Sequence, residues 1–286
     1  MACEAAGGTP LRNGELPLLD TRVAHPARVY DFWVGGKDNF EIDRSAGEAG
    51  ISAFRGTVSS VRANRAFLGR AVHYLAAEAG IRQFLDIGPG LPAANSTHEV
   101  AQAIAPECRV VYVDNDPVIL LHAQALMVGA MPGTTGYVDA DARDPGKILG
   151  GAAGVLDFSE PVAILLFGIL HFIQDDEGPE QIVDVLMDAV PPGSYLAVSH
   201  LASDLLPGSA AALGSALREH LSIEVQPRDS DGVSRFFRGL DLVEPGVVQV
   251  SRWRPRTRME SGAPAILWGG VGRKPHVVPL ARNPAS

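Results

Sequence analysis

The chain has 286 residues, 46% of them hydrophobic, with 24 Lys and Arg against 33 Asp and Glu. That apolar content supports a large buried core and excludes wholesale disorder. The formal charge of −9 argues against a general nucleic-acid binder, whose phosphate contacts need a basic surplus, and points to small or neutral partners. The charge is uneven: residues 226–286 hold ten basic and five acidic side chains, which makes that stretch +5 and the remainder −14.

Cys3 and Cys108 are too few for a disulfide framework and lack the CxxC spacing of a zinc site, so a reducing, cytoplasmic setting is expected. The longest apolar run, 162–170, is under half the roughly 20 residues that span a bilayer and reads as a buried strand. The start, MACEAAGGTPLRNG, has no basic-then-apolar leader pattern, so no export is expected.

In chain order, residues 1–20 are poor in bulky side chains, and a loose, disordered tail is expected because no core contact repays the entropy of ordering them. Helical spacing follows over 24–79, where Val29, Phe32 and Trp33 share one face and Phe67, Leu68, Val72 and Leu75 another, with the turn WVGGKDNF between. From Gln83 the pattern becomes strand then helix, repeatedly: FLDIG, RVVYVD (109–114), TGYVDAD (135–141), PVAILLFGIL (161–170) and SYLAVSHL (194–201). Asp116–Pro117 and Asp144–Pro145 read as helix starts, the Asp capping and the Pro first in the helix. Strands without polar alternation, interleaved with helices, indicate an α/β fold with a parallel sheet covered on both faces. The last two strand candidates, 246–255 and 265–275, have no helix between them and read as an antiparallel hairpin. On that reading Arg252, Arg254, Arg256 and Arg258 alternate along a strand and share one face, either a solvated edge that deters strand pairing or a surface for an acidic acceptor or partner.

The strongest local signal is FLDIGPGLPAANSTHE, residues 84–99. Asp86 ends a strand, Gly88 and Gly90 let the backbone turn and approach a ligand, and Ser96 with Glu99 forms a capping box for the next helix. The following strand ends in Asp114, where a carboxylate can accept both hydrogen bonds of a ribose diol. Two adenosine cofactors compete for this loop. Gly88, Gly90 and Ala93 match a dinucleotide GxGxxG/A pattern, which suits an NAD-dependent oxidoreductase. Pro89 and Pro92, however, stiffen the loop, and Pro92 removes an N–H where a pyrophosphate needs donors. S-adenosylmethionine has no phosphate, and Asp86 can anchor its cationic amino group.

The motifs DIGPG, VVYVDNDP, DADARDP and LLFGILHFI, at these separations, resemble the cofactor motifs of class I S-adenosylmethionine-dependent methyltransferases. The flanking stretches ARVYDFWVGGKDNFEIDR, VRANRAFLGRAVHYLA, NSTHEVAQ and LVEPGVVQVSRWRP are similar to an actinobacterial family of S-adenosyl methyltransferases, formerly a domain of unknown function, over about residues 20–275. The resemblance implies a Rossmann-like, seven-stranded, mainly parallel sheet with an antiparallel last strand, helices on both faces and a helical N-terminal extension. It implies a helical cap over 21–82, a cofactor-binding core over 83–275, a short tail over 276–286, and S-adenosylhomocysteine as product. Carried over by residue, Asp86, Gly88 and Gly90 line the methionine part, Asp114 the ribose, Asn115, Asp141 and Ala142 the adenine, and Phe167 to His171 the segment closing over the cofactor. The departure is Pro92, which stands where the general pattern has a third glycine.

His171 follows a buried strand at the carboxyl end of the sheet, where an imidazole can serve as a general base toward a hydroxyl acceptor. Methyl transfer from a sulfonium can also proceed by positioning alone, so that role is optional. Tyr30, Trp33, Lys37 and Asn39, on the glycine-interrupted N-terminal segment, are candidates to shape a small-molecule acceptor pocket. None of the eight histidines has metal-ligand spacing, and no metal is expected. A third reading, a regulatory protein that binds the cofactor without turnover, would require the space beside the sulfonium to be closed.

Overall fold

A computed structural model describes residues 21–91, 95–116, 119, 135–262 and 265–276. The expected tail 1–20, most of the expected tail 276–286, and Pro92, Ala93 and Pro117 lie outside these residues.

Three helices come first: α1 (Pro26–Val34), α2 (Glu41–Ala53) and α3 (Thr57–Ala77). The sheet then begins with β1 (Gln83–Ile87), α4 (Thr97–Ile104), β2 (Arg109–Asp114) and β3 (Thr135–Asp139). It continues with α5 (Pro145–Ala152), β4 (Ala163–Phe167), α6 (Pro179–Asp188), β5 (Tyr195–Leu201), α7 (Pro207–Leu221) and α8 (Ser230–Ser234). Two short strands, β6 (Asp241–Leu242) and β7 (Val248–Gln249), the helical turn α9 (Arg258–Ser261) and the long β8 (Leu267–Arg273) complete the described chain.

The strand order is β3-β2-β1-β4-β5-β8-β6, with β7 also paired to β8. β1 to β5 run parallel, and β8 lies antiparallel to β5. Alternation along each central strand explains the unbroken apolar sequence. Phe84, Val110, Tyr112, Leu165 and Ala197 face a core under α3 and α4, while Leu85, Val111, Val113, Ile164 and Val198 face another under α5, α6 and α8. With both faces buried, polar alternation would place charges in a core. Of the expected caps, Ser96 with Glu99 forms the box that starts α4, and Asp144 accepts from the Lys147 N–H ahead of Pro145 in α5.

The chain grows outward from β1 to β3 and then returns to β4 on the other side of β1. The gap between β1 and β4 is therefore a topological switch point, and the crevice outside the carboxyl ends there is where such sheets take ligands.

The seventh strand departs from expectation. It is split into β6 and β7, which pair with opposite ends of β8 around Pro245, a residue with no N–H for the ladder, so the described sheet has eight strands. The arginine stripe is overturned. Only Val248 and Gln249 are in strand, residues 250–252 form a 3₁₀ turn, Arg254 adopts a left-handed φ of 43°, and Arg258 opens α9. The cause is Trp253, fully buried edge-on against Phe67 at 5.4 Å and Tyr74 at 5.9 Å. The buried Arg70 guanidinium, reaching from α3, donates to the carbonyls of Val250 (2.7 Å) and Trp253 (2.8 Å), groups that a continuing strand would offer to a neighbour. Arg254 lies over the Tyr74 ring at 4.2 Å and pairs with Glu78 at 3.0 Å.

Candidate functional site

A cavity of about 370 Å³ runs along the carboxyl ends of the strands, from Asp141 after β3 to Leu267 of β8. At its centre Asp86 is the last residue but one of β1, and the chain turns at Gly88 and Gly90, with φ of 70° and 68°. Gly88 has to be glycine twice over. Its φ is left-handed, and a Cβ there would drive into the Ile169 side chain of the segment after β4. That contact brings the β1 loop and the post-β4 segment together across the switch point.

Asp86 is almost fully buried and accepts from Thr97 Oγ1 at 2.6 Å. Burial, only partly offset by Thr97 and by Arg65, pushes its carboxyl up to about 6. Asp114, ending β2, accepts from the Asp116 N–H at 3.0 Å and from the Gly90 N–H at 3.4 Å. Burial raises its carboxyl to about 6 as well, against the lowering effect of the Asp116 N–H and His25. Asp141 is held in place locally: Asn115 Nδ2 donates to one oxygen at 3.0 Å and the Arg143 N–H to the other at 2.8 Å. Asp86, Gly88, Gly90, Asp114, Asn115, Asp141, Ala142 and Phe167 all line the cavity, so the structure brings the expected cofactor residues to one crevice.

The expected acceptor residues divide. Tyr30 and Trp33 line the cavity. Trp33 fixes its indole by donating to Gly47 O at 3.0 Å. Lys37 and Asn39 do not line it. The Asp31 carboxylate accepts from Asn39 Nδ2 (2.8 Å) and from the Asp38 N–H (3.0 Å), while Arg44 donates to Asn39 O. Gly36 is glycine because a Cβ would strike that Asp31 carboxylate. The WVGGKDNF turn is therefore a joint between α1 and α2 whose polar groups bond to one another, and Lys37 is left exposed on it.

His171 lines the cavity, in the 3₁₀ turn Leu170–Phe172. Its Nδ1 accepts from the Leu201 N–H at 3.4 Å. Burial, with His200 and Arg228 beside it, holds its pKa well below the ordinary histidine value. The lowered pKa weakens the ring as a base, and with Nδ1 accepting a backbone N–H the proton is assigned to Nε2, a donor arrangement that favours the expected general base less than positioning. Buried Arg228 holds the turn: it donates to Leu170 O and Ile173 O, both at 3.0 Å, pairs with Asp175, and lies 2.9 Å from His200 Nε2. His200, with Nδ1 on Leu201 O, is pushed down to about 4, chiefly by burial.

Sequence reasoning missed His25 and Arg228. His25 caps α1, its Nδ1 lies 2.9 Å from the Asp116 carboxylate, and it lines the cavity beside Asp114. His25 and Asp116 are 91 positions apart, and no local pattern connects them. Among the described residues no cluster of metal-ligating side chains is found, and no helix is long and apolar enough to cross a membrane.

The donor set fits S-adenosylmethionine. A buried carboxylate with a raised pKa suits a cationic amino group, a strand-end acid suits a ribose diol, and the Gly88 and Gly90 N–H groups already donate to Val113 O and Asp114. The strand order 3-2-1-4-5 with an antiparallel strand beside β5, and this crevice, are those of class I methyltransferases.

The model of the family described as S-adenosyl methyltransferase matches residues 13–275, and the chain belongs to that family. It is 41% identical to a Streptomyces avermitilis protein described as a DUF574 family member, covering 90% of this chain and 99% of that one with a TM-score of 0.86. It is also 41% identical to a candidate methyltransferase from Thermobifida fusca, covering 91% and 98% with a TM-score of 0.85. No curated protein matches it. The protein is a methyltransferase that uses S-adenosylmethionine, and the dinucleotide reading of the glycine loop is set aside.

Proposed function

We propose that the cofactor lies along the β1–β3 half of the cavity and methylates a small-molecule acceptor held in the other half. Asp86 receives the cationic amino group, and Arg65, which acts electrostatically on Asp86, faces the methionine carboxylate. Gly88 and Gly90 give the sulfur end room. Asp114 accepts from the ribose hydroxyls, and Asn115, Asp141 and Ala142 border the adenine, with Phe167 closing the base of the crevice. When bound, the cofactor would supply a sulfonium-activated methyl group, whose C–S electron pair stays with S-adenosylhomocysteine while the acceptor nucleophile forms the new bond and releases its proton to solvent.

In this reading the chain contributes position and water exclusion, with His171 as an Nε2–H donor that orients the acceptor and takes no proton from it. The observation that carries it is Asp86, a buried carboxylate at the strand end beside the glycine turn. An open apolar space beyond Gly168 supports turnover over a purely regulatory role. The net acidic charge supports a small molecule over nucleic acid, and the free, buried Cys108 supports a cytoplasmic location. Calorimetric titration with S-adenosylhomocysteine tests the arrangement. Asp114→Ala is expected to weaken binding by about 2 kcal/mol, roughly thirtyfold, the scale of a lost charged acceptor. Unchanged affinity would remove Asp114 from the site.

A further inference from the structure

The cavity is longer than its carboxylates. From β3 to β8 it crosses five strand spacings of ~4.8 Å, roughly 24 Å in all, and Asp141, Asp114 and Asp86 occupy only the first three strand ends. The remaining half is walled by Trp33 from α1, Val61 from α3, Leu213, Leu217 and Leu221 from α7, and Ile266 before β8. Among the described residues walling this half none is an acid, a lysine or an arginine; Asp86, Asp114, Asp141 and Arg143 lie in the cofactor half, and Arg65, which acts on both Asp86 and Tyr30, stands at the junction. Apart from His171 Nε2, most of its polar side chains already have a protein partner. Trp33 Nε1 donates to Gly47 O, Thr57 Oγ1 donates to Phe54 O at 2.7 Å, and Ser60 Oγ accepts from the Ile266 N–H at 3.2 Å.

Where the halves meet, the position is different. Asn64 Nδ2 donates to Tyr30 Oη at 3.2 Å, but among the described residues Asn64 Oδ1 has no partner although Asn64 is 4% exposed. The Tyr30 hydroxyl reaches only Val61 O, at 3.5 Å, too far for a good O–H···O bond. Exchanging the two ends of the carboxamide would leave the other end unpaired, so the pair keeps unfilled hydrogen-bonding capacity in either orientation. Natural cores pair such groups, and an unpaired one beside a cavity points to a ligand.

We infer that the acceptor is a neutral, largely apolar molecule with a hydroxyl or N–H group, its body between α1, α3 and α7 and that group at the Tyr30–Asn64 pair. A charged acceptor would lose its hydration in this half without gaining a counter-ion, since Arg65 at the junction is taken by the methionine carboxylate in the proposed arrangement. The inference rests on the cofactor occupying the carboxylate half.

The test uses three probes on the full chain, each titrated with and without saturating S-adenosylhomocysteine: 2-naphthol, 2-methoxynaphthalene and 2-naphthoate. The wild type is expected to bind 2-naphthol at least tenfold tighter than either of the others. Tyr30→Phe and Asn64→Leu are expected to bring 2-naphthol down to the level of 2-methoxynaphthalene. Leu217→Asp is expected to weaken both neutral probes at least tenfold and to leave S-adenosylhomocysteine affinity within twofold. If Leu217→Asp does not fold, Leu217→Trp fills the chamber without a charge and is expected to exclude both neutral probes. Preference for 2-naphthoate, no binding of any neutral probe, or a naphthol preference that survives both polar substitutions would overturn the inference. Failure of S-adenosylhomocysteine to bind, with the probes behaving as stated, would instead count against the cofactor arrangement.

Discussion

The two halves of the cavity are built by different means. The half proposed for the cofactor is made where strands end: Asp86 is the last residue but one of β1, Asp114 the last of β2, and Asp141 stands two residues past β3. The acceptor half is made where helices from distant parts of the chain converge, with α1, α3 and α7 supplying side chains from positions 29 to 221. A polar site can be encoded in a few consecutive residues because the backbone itself positions the carboxylate and its N–H neighbours. An apolar chamber has no such local code, since each wall residue looks like any other core residue until the helices pack.

The comparison also separates stability from function. Asp86 has a folded-state carboxyl near 6 against an unfolded value of 3.8, so the folded protein holds that proton more tightly. Its contribution is full below the unfolded value and is lost as pH rises through about 6, which leaves a cost of about 3 kcal/mol at neutral pH. Asp86→Asn is therefore expected to stabilise the cofactor-free protein by up to that amount near pH 7.5, with the gain gone by about pH 4. The same substitution is expected to weaken S-adenosylhomocysteine binding about a hundredfold, as an anchoring charge is removed. Thermal unfolding across pH together with calorimetry checks both, and a variant that loses stability while keeping affinity would erase the distinction between the halves.

The wild-type pH profile gives a nearly equal effect. Burial raises both Asp86 and Asp114 to about 6 in the cofactor-free protein, and the proposed arrangement needs both ionised. Affinity for S-adenosylhomocysteine is expected to fall about a hundredfold between pH 7.5 and pH 5, about tenfold for each carboxylate, while binding of a neutral probe in the apolar half stays flat. A flat cofactor profile would remove both acids from the site.

A smaller effect distinguishes the two glycines. Gly88→Ala meets both a left-handed φ and the Ile169 side chain, whereas Gly90→Ala meets the φ alone, with open space where its Cβ would stand. The first is expected to cost clearly more stability than the second, for which strain of about 1–2 kcal/mol is expected by denaturant unfolding. Equal costs would mean that Ile169 does not hold the loop. At the bottom of the scale, Lys37→Ala is expected to leave stability and affinity for both ligand types within experimental scatter, since its side chain lies outside the cavity.

Much of this was legible in advance. The strands β1, β2 and β4 coincide with apolar runs ended by Asp or Gly, because burial on both faces leaves little other composition open to them. The loop from Asp86 to Glu99 could be read because a capping box and paired glycines are local chemistry. The arginine run 252–258 was misread for the opposite reason. Alternation suits a strand, but whether a strand forms there depends on Arg70, 183 positions away, which takes the carbonyl of Trp253. Lys37 and Asn39 looked available beside two glycines, and the buried Asp31 carboxylate makes that turn a joint.

By itself, then, the sequence determined the order of elements, the doubly covered parallel sheet and the strand-end acids, since all three follow from burial and turn chemistry within short windows. Only the tertiary structure decided that His25 reaches Asp116, that Arg228 holds the turn bearing His171, and that α1, α3 and α7 enclose an uncharged chamber beside the cofactor crevice. Those features depend on groups brought together across the chain, and chain periodicity carries no record of which buried side chains will meet.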